Sequence, residues 1–316
     1  MNKTNSIAPG NCAGGDETVP AADRHKILRP AGERSDWPPV PPDQAAGMRQ
    51  ICLIDTETTG LDWRRHQVIE VCAARVQVDA RGQIAGIHAI GSALEDPGDP
   101  LSAAITTLTG LTDETLKGQV INREKLTQFI ASCEGVIAFN SQFDRSFVEA
   151  MLPDLPQIPW GCAKQDLRWR DLGFEPGPQN YLLQQSGYYP PAAHRAEADV
   201  LSLCQLLDHI CVDGQSVMAK LLDAMATPAW RFEATRAPYD KRHDLKDRGY
   251  RFRKQGLGAL WHKHVRADEY DAELAWYRDC FGMEPSIVDL PATERYRDEC
   301  TWTPVVPEGG WPKYLK

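Results

Sequence analysis

The chain has no run approaching the roughly 18 to 20 uninterrupted apolar residues that a membrane-spanning helix needs, so no membrane partner is expected. A basic-then-apolar leader pattern is also missing from its first residues, and the expected location is the cytoplasm. The nine cysteines include no C-x-x-C pair. Scattered and odd in number, they read as buried thiols of a reducing compartment rather than as a disulfide frame or a zinc site. Positive charge is not in excess either: 35 Lys and Arg stand against 44 Asp and Glu, for a net charge of −9. That balance argues against nucleic acid being held by the whole surface, but it allows a local basic footprint.

What is present is an ordinary soluble composition, 42% hydrophobic and 25% charged, over 316 residues, enough for a sizeable core. Residues 1 to 48 are rich in Pro, Gly, Ala and polar residues and read as a flexible arm, in which only "HKILRP" is suited to packing. Residues 49 to 213 carry the pattern of one α/β domain. The apolar run 51 to 54 predicts a strand buried on both faces. "QVIEVCAARVQV" and "QIAGIHAIGSAL" follow it as a hairpin across "DARGQ". A helix is predicted over 123 to 132 and a strand at "GVIAFN". A second helix is expected at "SQFDRSFVEAML" with Ser141 as its N-cap, and a fifth strand at "WGCAKQDL". Residues 194 to 211 predict an amphipathic helix with Val200, Leu203, Leu206, Leu207 and Ile210 on its apolar side.

Residues 214 to 227 read as a connecting helix, 228 to 300 as a small basic α+β module and 301 to 316 as an irregular tail. Within the module, residues 236 to 266 hold ten Lys or Arg against three acids, a local balance of +7. The expected elements are a strand at "WRFEAT", a helix at "RHDLKDRG", a hairpin turning at "GLG" and a helix at "EYDAELAWYRDCF". Interleaving of the cations with Tyr250, Phe252 and Trp261 suits a nucleic-acid contact surface. A solvated, self-stabilising module fits the same pattern equally well.

The chemistry is carried by a set of acids. Asp55 and Glu57 lie two apart at the end of the first strand, so their side chains share a face. There they repel each other unless a cation or a proton intervenes. Asp144 follows a strand and the turn "FNSQF", and His194 and Asp199 lie five apart in "HRAEAD". Four converging acids without a matching basic cluster suit hard divalent cations, magnesium or manganese, bound through oxygen. A pair of such ions can clamp the attacking and leaving oxygens of a phosphate displacement. A histidine titrates in the range needed to take a proton from water.

"IDTETTGL", "AFNSQFD" and "HRAEAD" resemble the three motifs of the DnaQ-like 3′-to-5′ exonucleases, in the subgroup whose fifth residue is histidine. The resemblance covers roughly 49 to 213. It includes "EDPGDPLSAAITTLTGLTDE", which is similar to the family's segment around the 3′-terminal nucleotide and contains Leu108. It implies a ribonuclease H-like mixed five-stranded sheet flanked by helices, two divalent cations, and release of nucleoside monophosphates from a 3′ end. Carried over by position, Asp55, Glu57 and Asp199 would hold one ion. Asp55 would bridge to the second, with Asp144 contacting it, and His194 would be the general base. Thr58, Thr59, Gly60 and Leu61 would line the terminal nucleotide, with Leu108, Asn140 and Phe143 beside it. Phe139 stands where the family commonly has histidine, which implies altered packing rather than lost activity. Single-stranded DNA is the favoured substrate. RNA, a polymerase or other repair partner, and a homodimer are also compatible with the sequence.

Overall fold

Ile51, Cys52, Leu53 and Ile54 have no solvent exposure, because their strand runs through the middle of a sheet that is covered on both faces. The computed structural model describes residues 27–253 and 260–298 of the chain. After the short β1 (Arg29–Pro30), the strands β2 (Arg49–Thr58), β3 (Val68–Val78) and β4 (Ile84–Leu94) form an antiparallel meander. The turn at "DARGQ" is built as its sequence suggests. Asp79 Oδ1 accepts from the backbone N–H groups of Arg81 and Gln83, and Gly82 takes φ 75°.

Helices α1 (Ala103–Thr109), α2 (Asp113–Leu116) and α3 (Arg123–Ala131) lead into β5 (Gly135–Ala138), α4 (Ser141–Met151) and β6 (Trp160–Cys162). β5 runs parallel to β2, and β6 parallel to β5, giving the order β4-β3-β2-β5-β6. This mixed five-stranded sheet has the ribonuclease H-like arrangement. α5 (Gln179–Ser186), β7 (Tyr188–Tyr189), α6 (Ala196–Asp208) and α7 (Val217–Ala226) follow. Ile51 and Leu53 pack against α6 and α7, while Cys52 and Ile54 pack with Val136, Phe147 and Val148 on the α4 side.

Several expectations change. The arm read as flexible instead lays Trp37 into the core at 6% exposure, where its Nε1 donates to Asp208 Oδ2 at 3.1 Å. β1, inside the "HKILRP" that was suited to packing, pairs with β7 as that reading allowed. Residues 1–26 lie outside the described residues. Ser141 is the first residue of α4 and not its cap; Asn140 holds that position. Ser141 Oγ donates to Gly161 O at 2.5 Å, tying the helix start to β6. The fifth strand is only three residues long, because the chain turns back after Cys162, whose N–H donates to Asp166 Oδ2 at 2.8 Å. Ile210 lies beyond the end of α6 and is exposed. α7 is more than a connector: Val217, Met218, Leu221 and Leu222 belong to the main core. The described cysteines are free thiols, as expected, and all but Cys280 are buried.

Beyond α7, β8 (Ala229–Ala234), α8 (Arg242–Asp247), β9 (Arg251–Arg253), β10 (Leu260–Arg266), α9 (Tyr270–Phe281) and β11 (Ser286–Asp289) form a second unit. Its antiparallel sheet has the order β11-β8-β10-β9. β11 was not legible in the sequence, and the "GLG" turn falls outside the described residues. Part of the local positive charge is neutralised within the unit. Lys263 Nζ and Arg248 Nε both reach Glu273 Oε2, at 2.6 and 3.1 Å.

Candidate active site

β2 delivers the first two acids. Its ladder with β3 shifts register between Glu57 and Thr58, and such a bulge re-aims side chains at a strand end. Asp144 sits in the first turn of α4. Thr56 donates to its Oδ1 twice, from the hydroxyl at 2.9 Å and from the backbone N–H at 3.1 Å. The helix carboxylate is thereby pinned to the strand that carries Asp55 and Glu57. Asp199 lies in the first turn of α6 and accepts the His194 N–H at 2.8 Å. His194 itself precedes the helix with φ 63°, an uncommon left-handed conformation for a residue other than glycine. It is exposed.

One ligand atom each from Glu57, His194 and Asp199 lies within 4.8 Å of the others. Asp55 stands within electrostatic reach of Asp144, Asp199 and Glu57. Burial, and then the Asp144, Asp199 and Glu57 carboxylates, hold the Asp55 carboxyl well above its usual range. Burial, Asp199, Glu70 and Asp144 push Glu57 up to about 8, against a downward pull from Arg195. Burial raises Asp144 to about 7 despite the Thr56 hydrogen bonds. Asp199 is raised by burial, with His194 opposing. Among the described residues, neither Asp55 nor Glu57 has a hydrogen-bond donor facing its carboxylate. A crowded, donor-poor set of carboxylates with one imidazole fits hard divalent cations, which would relieve the repulsion that raises these groups.

The TTGL turn follows directly. Thr58 Oγ1 donates to Gly60 O at 2.6 Å, and the Thr59 N–H donates to Gln67 O at 2.9 Å. A Cβ at Gly60 would stand 2.6 Å from the His66 ring, so this close approach admits only glycine without a shift. Leu61 is 87% exposed. With Asn140 and Phe143 it lines a groove of about 490 Å³ that also contains Trp63, Arg64 and Gln142. Leu108 is half-exposed on α1 and does not line this groove. Phe139 packs against the main core.

Residues 52–207, about half of the chain, match the family model described as Exonuclease, of the RNase T type. This segment is a DnaQ-like exonuclease domain. The exonuclease domain is similar to parts of much longer proteins. One is the PolC-type DNA polymerase III of Thermotoga maritima, 26% identical over 200 residues, which make up 58% of this chain and 14% of that protein. Another is the PolC-type DNA polymerase III of Streptococcus mutans, 34% identical over 110 residues, or 34% of this chain and 7% of that protein. The chain thus spans only a small fraction of these relatives. Among solved structures, exonuclease X bound to 5′-overhanging duplex DNA aligns over 54% of this chain and 99% of its own, at TM-score 0.39 and 23% identity. E. coli exonuclease I bound to a dT13 oligonucleotide aligns over 58% and 48%, at TM-score 0.43 and 14% identity.

Two features of the exonuclease domain escaped the sequence reading. Glu70, opposite Glu57 in the ladder, is 2% exposed. It accepts from Arg195 Nε and Nη2 at 3.0 and 2.9 Å, and from the Ala196 N–H at 3.2 Å. It therefore fixes the start of α6, next to His194. Its trace in the sequence was a lone acid within the apolar run "VIEVCAARV". Trp63 and Arg64 are the second feature. Both donate to Asp298, at 2.5 and 2.8 Å, joining the groove to the C-terminal unit. Nothing local in the sequence marks that pairing.

Proposed function

We propose that the chain is a 3′-to-5′ exonuclease that hydrolyses single-stranded DNA ends to nucleoside monophosphates. It would work with two divalent cations, magnesium or manganese. The observation that carries this reading is the convergence of Asp55, Glu57, Asp144 and Asp199, with raised proton affinity, beside His194. Asp55, Glu57 and Asp199 would hold one cation, and Asp55 and Asp144 the other. When bound, the cations supply charge neutralisation at the phosphate and a more acidic water. His194 would take a proton from the attacking water at an imidazole nitrogen and pass it to solvent, which its exposure allows. Thr58, Thr59 and Gly60 line the terminal nucleotide, Leu61 packs on its base, and Leu108, Asn140 and Phe143 border it.

The test is digestion of 5′-labelled single-stranded DNA and of a matched RNA, each with magnesium, manganese and chelator. The expected result is a ladder shortening from the 3′ end of the DNA in either metal and no cleavage in chelator. Shortening from the 5′ end, or no cleavage of either polymer, overturns the reading. Cleavage of RNA alone moves the substrate to RNA and keeps the site. The similarity to PolC-type DNA polymerase III favours a second reading, a polymerase-bound accessory. Co-purification with a polymerase checks it.

A further inference from the structure

The exonuclease domain and the C-terminal unit enclose a cavity of about 300 Å³ with six cationic side chains in its lining, Arg168, Arg251, Lys263, Arg266, Arg295 and Arg297, against the acids Asp166 and Glu269. Most of these cations are already engaged. Arg168 reaches Asp268 and Glu269 at 2.7 and 2.9 Å, Lys263 reaches Glu273 at 2.6 Å, and Arg297 reaches Glu149 and Glu294 at 3.2 Å. Two are different. Arg295, 5% exposed, donates to the backbone carbonyls of Leu290, Ala224 and Thr227, which are neutral partners, and Asp166 is the carboxylate within its electrostatic reach. Arg251, exposed on the edge strand β9, has no acid partner among the described residues. The positive field reaches His264, which desolvation first, and then His262, Arg231, Arg251 and Arg295, hold down at about 3.

Gln142 lines this cavity and also the groove of Leu61, Asn140 and Phe143. The cationic cavity is therefore the neighbour of the proposed terminal-nucleotide shelf. A strand whose 3′ end lies on that shelf carries a phosphodiester at every step away from it, and an unpaired guanidinium pairs well with phosphate oxygens. We propose that this cavity is a phosphate subsite, in which Arg251, backed by Arg295, holds a backbone phosphodiester of the substrate strand upstream of its 3′ end. The inference rests on the 3′-exonuclease reading. It gives the C-terminal unit a task that a mononucleotide substrate would not reveal.

The test compares wild type with Arg251→Ala, Arg251→Glu and Arg251→Lys, with Arg278→Glu on α9 as a distant control. Two substrates are used at two salt concentrations: a dT12 oligonucleotide and thymidine 5′-(4-nitrophenyl phosphate), which has no upstream phosphate. On the oligonucleotide, KM is expected to rise at least about fivefold in Arg251→Ala and further in Arg251→Glu, with Arg251→Lys close to wild type. The slope of log(kcat/KM) against log salt should fall by about 0.7, one single-strand phosphate contact. The nitrophenyl ester should change less than twofold. An unchanged oligonucleotide KM and salt slope in Arg251→Glu overturns the proposal, as does an equal loss on both substrates. Inorganic phosphate that inhibits wild type but not Arg251→Ala, with oligonucleotide kinetics unchanged, assigns the cavity to a free anion and also overturns it. If wild type does not shorten the oligonucleotide at all, it is the exonuclease reading that has failed. Anisotropy of labelled dT12 in chelator then decides the subsite alone: equal Kd for wild type and Arg251→Glu sinks it, and weaker binding by the variant upholds it.

Discussion

At the scale of single residues, the proposed mechanism separates groups that would hold cations from a group that would move a proton. Asp55 is central to the carboxylate set, with Asp144, Asp199 and Glu57 all acting on it. His194 reaches the cluster from its edge, held by one backbone hydrogen bond to Asp199. Removing a general base costs on the order of 10² to 10⁴-fold in rate. Removing a shared metal-holding carboxylate takes away nucleophile activation and charge neutralisation together. His194→Ala is therefore expected to keep a trace of metal-dependent hydrolysis on a labelled oligonucleotide, and Asp55→Ala none above background. Equal, full activity of both variants would contradict the assignment.

The same carboxylates make stability depend on pH in a definite direction. Glu57 moves from an ordinary 4.5 to about 8 and Asp144 from 3.8 to about 7. Between those limits the unfolded chain has released protons that the folded chain still binds, so this contribution to stability is present at low pH and is lost as pH rises toward 8. A divalent cation that binds only the folded, ionised site restores it by mass action. Thermal melts in chelator and in millimolar magnesium should show a gain in Tm from the metal that is small at pH 5.5 and larger at pH 8. A gain that shrinks with rising pH would mean that the cation binds elsewhere.

At the scale of elements, the sequence was most legible where periodicity and position agree. β2 to β5, α3, α4 and the buried face of α6 follow from apolar runs and helical spacing, and every acid of the site falls at the end or the start of one of them. What stayed illegible depends on contacts between distant segments. The shortness of β6 reflects the Asp166 turn, the burial of Trp37 depends on Asp208, and the role of Glu70 depends on Arg195. Ser141 shows the difference well. Its position before a helical pattern suggested a cap, yet its fully buried hydroxyl links the start of α4 to the carbonyl of Gly161. Ser141→Ala removes that hydrogen bond while the β5–β6 ladder still engages the carbonyl, at a cost of about 0.5 to 1.5 kcal/mol. Urea unfolding should show the loss as a lower midpoint with unchanged m-value. A midpoint equal to wild type would show that the hydroxyl contributes nothing.

At the scale of the whole molecule, the C-terminal unit is bound to the exonuclease domain by buried groups as well as by surface ion pairs such as Arg168 with Asp268 and Arg64 with Asp298. Arg145, 1% exposed on α4, donates to Thr293 O at 2.7 Å and to Arg295 O, and pairs with Glu149 at 2.8 Å beneath the Trp160 ring. The Trp160 N–H in turn donates to Ala292 O at 3.0 Å, and Tyr296 sits in the same apolar cluster as β5 and α4. Deleting residues 228 to 316 would therefore strip the back of α4, the helix that carries Asp144, and would not isolate the strand-holding role proposed for the basic unit. A point change tests the coupling more cleanly. Arg145→Met keeps apolar volume beside Trp160 but leaves two buried carbonyls without donors, at about 1 to 3 kcal/mol each. At roughly 2 to 4 °C per kcal/mol for a unit of this size, Tm should fall by at least about 4 °C. Wild type should unfold in one calorimetric transition, because neither unit can release Arg145 without exposing groups of the other. In Arg145→Met that transition should broaden or split, with activity at 25 °C reduced through the loosened Asp144. A single sharp transition within 1 °C of wild type would mean that the two units are held together elsewhere.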